Sequence, residues 1–120
     1  MAKILIVEDE KLLGEMYKDK LEALGHEVVL VLSSEDALDY VNKETPDFIL
    51  LDIILPKASG IDFLRAAMRI KSIAKVPVVV FSNYDDPATK KEALKLGVKA
   101  YLIKSQYTPQ GMLEEVEKFL

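Results

Sequence analysis

The chain has no cysteine, which excludes a disulfide framework and any thiolate metal site. That absence agrees with a reducing compartment, and a cytoplasmic location is expected. It has one histidine, His26, and no convincing Ser/His/Asp triad can be assembled around it. His26 falls in a turn between a helix pattern and a strand pattern, where a solvated side chain is expected. No apolar stretch approaches the roughly 20 residues needed to span a bilayer. The start, Met1-Ala2-Lys3-Ile4, runs straight into a strand pattern and lacks a signal-peptide profile, so no membrane partner is expected. There is no Gly-rich phosphate loop of the Walker or dinucleotide kind. No linker, internal repeat or low-complexity segment breaks the chain. Positive charge is not in excess either. The formal net charge is −4, and a protein relying on broad nucleic-acid contact is usually basic. No direct nucleic-acid binding is expected.

What is present fits one domain, residues 1–120, with half its residues hydrophobic. Short apolar runs alternate with amphipathic segments, the pattern of βαβ units around a parallel sheet. Strands are predicted at Lys3–Val7, Glu27–Val31, Phe48–Asp52, Val76–Ser82 and Ala100–Lys104. Runs such as Ile49-Leu50-Leu51 and Val78-Val79-Val80-Phe81 are apolar on both alternating faces, as strands covered by helices on both sides must be. Helices are predicted at Lys11–Leu24, Ser34–Asn42, Gly60–Ile70, Pro87–Leu96 and Pro109–Leu120. Asp86-Pro87 and Thr108-Pro109 each put a capping side chain before a proline at the first helical position. Ser59 with Asp62 resembles an N-terminal cap for the third helix. Gly25 and Gly97 stand where left-handed C-terminal caps belong. The chain ends within a plausible last helix, so no effector domain is expected within it.

Three acids carry the chemistry. Glu8 and Asp9 follow the run Ile4–Val7, and Asp52 follows Phe48–Leu51. In a parallel sheet these positions lie at the carboxyl edge, where α/β proteins bind ligands. Singly, each acid has an ordinary role flanking a helix or capping a loop. Jointly they point to a site, because crowded carboxylates repel one another unless a cation lies among them. A hard divalent cation such as magnesium prefers oxygen ligands, and the Ile54 carbonyl, two residues past Asp52, can add one. Lys104 ends the run Ala100–Ile103 and can pair with Asp52 and with a phosphoryl oxygen; alone it would be read as an ordinary surface lysine. Ser82 ends the run Val78–Phe81, and its hydroxyl can donate to the same group, although an isolated serine there would be read as a turn residue. An acceptor, a cation site, a hydroxyl and a fixed positive charge are what phosphoryl transfer needs.

These segments together resemble the receiver domain of two-component response regulators. They are Ile4-Leu5-Ile6-Val7-Glu8-Asp9-Glu10, then Leu50-Leu51-Asp52-Ile53-Ile54-Leu55-Pro56 with Gly60, then Val79-Val80-Phe81-Ser82, then Tyr101-Leu102-Ile103-Lys104. The resemblance implies a single-domain, doubly wound, flavodoxin-like α/β fold with five parallel strands in the order 2-1-3-4-5. It implies Asp52 as phosphoacceptor, and Mg2+ held by Glu8, Asp9, Asp52 and the Ile54 carbonyl. Ser82 and Lys104 would contact the phosphoryl group, and Ser82 and Tyr101 would act as the switch pair. The donor would be a sensor histidine kinase or phosphotransfer protein. The output would pass through the face of helix 4, strand 5 and helix 5 to a protein partner or an effector domain outside this chain. Such a protein is not an enzyme acting on a separate substrate; it assists its own phosphoryl transfer and dephosphorylation.

The chain departs from the family pattern in three places. Ser105 follows Lys104 where proline is usual, Asn83 follows Ser82 where a small residue is frequent, and Ile54 offers chemistry only through its backbone. Haloacid-dehalogenase-type phosphatases combine similar groups but need a second aspartate two residues after the nucleophile, and Ile54 is there instead. A degenerate receiver that only binds partners would be expected to lose the acids, which this chain keeps. Lys90, Lys91, Lys95 and Lys99 are read as a solvated face near the fourth helix. Leu12, Leu13 and Met16 of the first helix, whose outer face the family uses in kinase docking, are read as mostly core.

Overall fold

The computed structural model describes residues 1–120. The strands are β1 (Lys3–Val7), β2 (Glu27–Val31), β3 (Phe48–Leu51), β4 (Val78–Ser82) and β5 (Ala100–Ile103). The helices are α1 (Lys11–Ala23), α2 (Ser34–Lys43), α3 (Gly60–Ala67), α4 (Pro87–Lys95) and α5 (Pro109–Glu117). All strand pairs are parallel, and the order across the sheet is β2-β1-β3-β4-β5.

Strand alternation sorts the apolar residues into two layers. Leu5, Val7, Ile49, Leu51, Val78 and Val80 face one side and pack with Ala37 and Val41 of α2, Phe63 and Leu64 of α3 and Ala93 of α4. Ile4, Ile6, Phe48, Leu50, Val79 and Phe81 face the other and pack with Tyr17 and Leu21 of α1 and Met112 and Val116 of α5. Both layers are dry at their centres: Ile4, Leu5, Phe48, Phe63 and Val79 are fully buried. Burying each such side chain contributes about 1.5–3 kcal/mol.

The caps read from the sequence are formed. Ser59 and Asp62 make a reciprocal capping box on α3. Asp86 accepts from the Thr89 N–H and Thr108 from the Gly111 N–H, each before a proline in the first turn. Gly25 and Gly97 take φ of 95° and 103°, left-handed values that L side chains avoid. Several ends shift by a few residues. β3 stops at Leu51 and β5 at Ile103, so Asp52 and Lys104 lie just past their strands, and Lys104 opens a 3-10 turn over Lys104–Gln106. β4 begins at Val78, because Val76 closes the preceding turn by donating to the Ile73 carbonyl. α3 and α5 end at Ala67 and Glu117, and tighter turns carry the chain onward.

His26 corrects the expectation of a solvated ring. Its side chain is only 10% exposed. Nδ1 accepts from the Ala2 N–H at 3.2 Å, and Nε2 lies 2.8 Å from Glu117. The ring therefore pins the start of β1 to the end of α5. Leu12 departs from the core assignment as well, standing 84% exposed on α1.

Candidate functional site

Two hydrogen bonds bring the acids to one level. The Glu8 N–H donates to the Val31 carbonyl and the Asp52 N–H to the Val7 carbonyl, each at 3.0 Å. The parallel ladders thus continue one residue past β1 and β3. With Val7 opposite Leu51, the residues that follow meet at the carboxyl edge. Ser82 stands opposite Ile103 in the β4–β5 pair, which delivers Lys104 to the same edge. Gly60 lets α3 start close beneath: a Cβ there would lie 2.3 Å from the Asp52 carbonyl oxygen and 2.9 Å from Ile53 Cα. Its N–H donates to the Ile53 carbonyl at 2.8 Å.

The result is a cavity of 430 Å³ whose walls include Asp9, Asp52, Ser82, Asn83, Tyr84 and Lys104. Glu8 is 2% exposed and Asp52 7%, whereas Asp9 is open to solvent. Lys104 bridges the two buried acids. Its Nζ lies 2.8 Å from Asp52 Oδ2 and donates also to Glu8 Oε1. The second Glu8 oxygen accepts from the Glu10 N–H at 3.1 Å, and Asp52 Oδ1 from the Ile54 N–H at 3.4 Å. Burial pushes the Glu8 carboxyl above the usual range, against the opposing pull of Lys104. Burial also works to lower the Lys104 pKa, but the hydrogen bonds it donates to Asp52 and Glu8 outweigh that and hold the ammonium above its ordinary value.

Ser82 is buried, and its Oγ accepts from the Tyr84 N–H at 3.1 Å. The turn role expected of an isolated serine is thus real, yet its own O–H remains free to donate into the cavity. Tyr101 is half-buried against the core, and its hydroxyl donates to the Tyr84 carbonyl at 2.5 Å. Burial, then the charge on Asp52, pushes that hydroxyl up to about 12. Lys90 does more than meet solvent: its Nζ lies 5.9 Å from the Tyr101 ring centroid and pairs with Asp85. The chain at Lys104–Ser105 is trans, as are all its peptide bonds.

Glu8, Asp9 and Asp52 each offer a carboxylate oxygen, all within 4.8 Å of one another. Adjacent oxygen ligands of an octahedral magnesium ion are about 2.9 Å apart, so the three side chains would draw in by up to about 2 Å to share one ion. The hard oxygen chemistry fits as well. The structure brings Glu8, Asp9, Asp52, Ser82 and Lys104 together, with the backbone of Ile54 beside them and its side chain 55% exposed. Sequence reasoning missed Tyr84, a cavity wall whose carbonyl receives the Tyr101 hydroxyl. Its only signal was its place two residues past Ser82.

Comparison with known proteins agrees with this geometry. A family model described as the response regulator receiver domain matches residues 4–117. The polar-differentiation response regulator DivK of Brucella ovis is 28% identical over 117 residues, covering 98% of this chain and 94% of that protein. The Escherichia coli transcriptional regulatory protein BaeR is 31% identical over 118 residues, covering 98% of this chain but 48% of BaeR. Against a Myxococcus xanthus gliding motility regulatory protein the chain spans 15% of the length, so it is under half as long as several curated relatives. The solved structure of the Vibrio cholerae chemotaxis protein CheY4 superposes with a TM-score of 0.91 at 26% identity, covering 100% of this chain and 99% of that one. On a match that runs nearly end to end, the chain belongs to the response regulator receiver domain family, the phosphorylation-dependent signalling module of two-component systems.

Proposed function

We propose that Asp52 accepts a phosphoryl group from a phosphohistidine on a sensor histidine kinase or phosphotransfer protein. One Asp52 carboxylate oxygen forms the new P–O bond as the P–N bond breaks and the imidazole leaves with the electron pair. Ser82 Oγ–H and Lys104 Nζ donate to phosphoryl oxygens. Glu8, Asp9, Asp52 and the Ile54 carbonyl hold Mg2+, which when bound neutralises charge on the transferring group. The observation that carries this reading is the meeting of Glu8, Asp9 and Asp52 within 4.8 Å, with the Lys104 ammonium 2.8 Å from Asp52. A buried carboxylate that already faces a cation needs little rearrangement to take up a dianionic group.

The reaction consumes the protein's own side chain, and water later restores Asp52 with the same groups assisting. Ile54 stands where a phosphatase of the competing class carries its acid/base, which favours a self-limited acceptor over turnover of a free substrate. The added charge and oxygens draw on Ser82 and Lys104. Ser82 is two residues from Tyr84, whose carbonyl holds the Tyr101 hydroxyl, so a shift of that loop reaches Tyr101 directly. The face of α4, β5 and α5 then presents a changed surface to a protein partner, or to an effector domain joined to this 1–120 receiver unit. The setting is the cytoplasm, and no helix of the chain is long and apolar enough to cross a membrane.

Incubation with acetyl phosphate and Mg2+, followed by mass spectrometry of the modified peptide, tests acceptor and metal together. The expected product is one Mg2+-dependent phosphoryl adduct on Asp52. An adduct on another residue, or one formed equally in excess chelator, overturns the assignment.

A further inference from the structure

Asn83 directly follows Ser82, Ser105 directly follows Lys104, and the two touch. The Ser105 N–H donates to Asn83 Oδ1 at 2.9 Å across 22 residues of sequence. Ser105 is the second residue of the 3-10 turn that Lys104 opens. The first N–H groups of such a turn have no partner within it and need an acceptor from elsewhere. Asn83 supplies one. It follows directly after Ser82 and lines the same cavity as Ser82 and Lys104.

We propose that Asn83 is a positioning residue for phosphoryl transfer, acting through the Ser105 N–H. This rests on the assignment of Asp52 as acceptor with Ser82 and Lys104 as its phosphoryl contacts. One hydrogen bond ties the residue after Ser82 to the residue after Lys104, so it sets the separation of the two loops that present those contacts. In the resting protein Asp52 and Glu8 already hold the Lys104 ammonium. Asn83 therefore acts on the backbone beneath Lys104, not on its charged tip. That backbone decides where the four-carbon stem can deliver the ammonium once Asp52 carries a phosphoryl group. Proline after the lysine would lack the N–H altogether; the clip belongs to a chain with Ser105.

The test is a double-mutant cycle on the rate of Asp52 phosphorylation by acetyl phosphate at saturating Mg2+. Asn83→Ala is expected to slow uptake about fivefold, the loss of one ordinary hydrogen bond. In a Ser105→Pro background, which has no N–H to hold, the same substitution is expected to change the rate by less than a factor of about 1.5. Amide exchange gives a second arm that needs no proline variant. Ser105 protection is expected to fall in Asn83→Ala and to persist in Asn83→Asp, which keeps an acceptor. Equal slowing in both backgrounds overturns the proposal, as does a lowered melting temperature with an unchanged rate. Unchanged Ser105 protection in Asn83→Ala overturns it too. Absence of any adduct on Asp52 in the unsubstituted protein is a distinct failure, that of the acceptor assignment itself.

Discussion

At the amino edge of the sheet, Lys3 reaches Glu44 at 3.3 Å and Glu27 at 3.8 Å, while the Lys3 N–H donates to Asp47 at 2.8 Å. His26 meets Glu117 beside them. At the carboxyl edge, Glu8 and Asp52 share the single ammonium of Lys104, with the Asp9 carboxylate close by. The residue types are the same; exposure and balance differ. Lys3 and its partners are 33–59% exposed, so water solvates each charge and the pairs are interchangeable trimming. Lys104, Glu8 and Asp52 are each 9% exposed or less, and negative charge is in excess. Burial plus imbalance sets this edge apart and suits it to the cation proposed above.

The largest contrast is expected from the acids themselves. Asp52→Asn should abolish the acetyl phosphate adduct entirely, as mass spectrometry will show, while circular dichroism stays native. Its melting temperature should rise, because one of three mutually repelling carboxylates is gone. Asp47→Asn at the other edge should leave the adduct unaffected. A site built from a different acceptor would reverse that pair of results.

Lys104→Met should be next. Removing one partner of a fully buried pair costs roughly 3–5 kcal/mol, and the opening of this cavity to water brings the expectation to about 2 kcal/mol. Added Mg2+ should restore most of it, and the affinity for Mg2+ should rise roughly threefold or more, since a competing cation has left two of its ligands. Some phosphorylation should persist, with a weakened change in partner affinity. Calorimetry with and without Mg2+ reads the first two effects. The pH dependence has a definite sign. The Lys104 pKa is raised by folding, so its contribution to stability is complete below about 10.5 and is lost as pH climbs through the higher folded value.

Backbone packing differs between the edges in the same way. Gly60→Ala would press a Cβ to 2.3 Å from the Asp52 carbonyl oxygen, a backbone atom that cannot step aside. A loss of about 3 kcal/mol is expected, together with slower phosphorylation. Gly25→Ala meets nothing within 4 Å and suffers only from its φ of 95°. It should cost about 1 kcal/mol with uptake unchanged. Chemical denaturation distinguishes the two.

Strand identities were legible because the β1, β3 and β4 runs are apolar on both faces, which few alternatives to a two-sided parallel sheet explain. Caps were legible for a similar reason: Asp86-Pro87 and Thr108-Pro109 satisfy local rules that tertiary structure had no cause to override. The convergence of Glu8, Asp9 and Asp52 was legible as placement at strand ends. What escaped depended on contacts far apart in sequence. His26 looked like a turn residue because Glu117 and Ala2, its partners, are invisible to local pattern. Tyr84 carries no motif, and its part in holding Tyr101 depends on the path of a loop. The bond from Ser105 to Asn83 could not be read either: each looked like an isolated departure until the fold set them side by side.

The amino edge should yield the smallest effect. In Glu117→Gln the side-chain oxygen still accepts from His26 Nε2, so the hydrogen bond survives and only the charge is lost. Glu117 is 43% exposed, and water already screens much of that charge. A change under about 0.5 kcal/mol is expected, fading further as salt shortens the screening length. Glu8→Gln is the corresponding substitution at the carboxyl edge: it keeps an oxygen for Lys104 but gives up both the charge and the acceptor that the Glu10 N–H uses. There the side chain is 2% exposed, salt screens the pair much less, and folding already disfavours the charged form by burial. Glu8→Gln should therefore stabilise the metal-free fold while weakening its gain from Mg2+, and that opposition should persist at high salt. If both substitutions proved equally small and equally salt-sensitive, exposure would not be what separates the two edges.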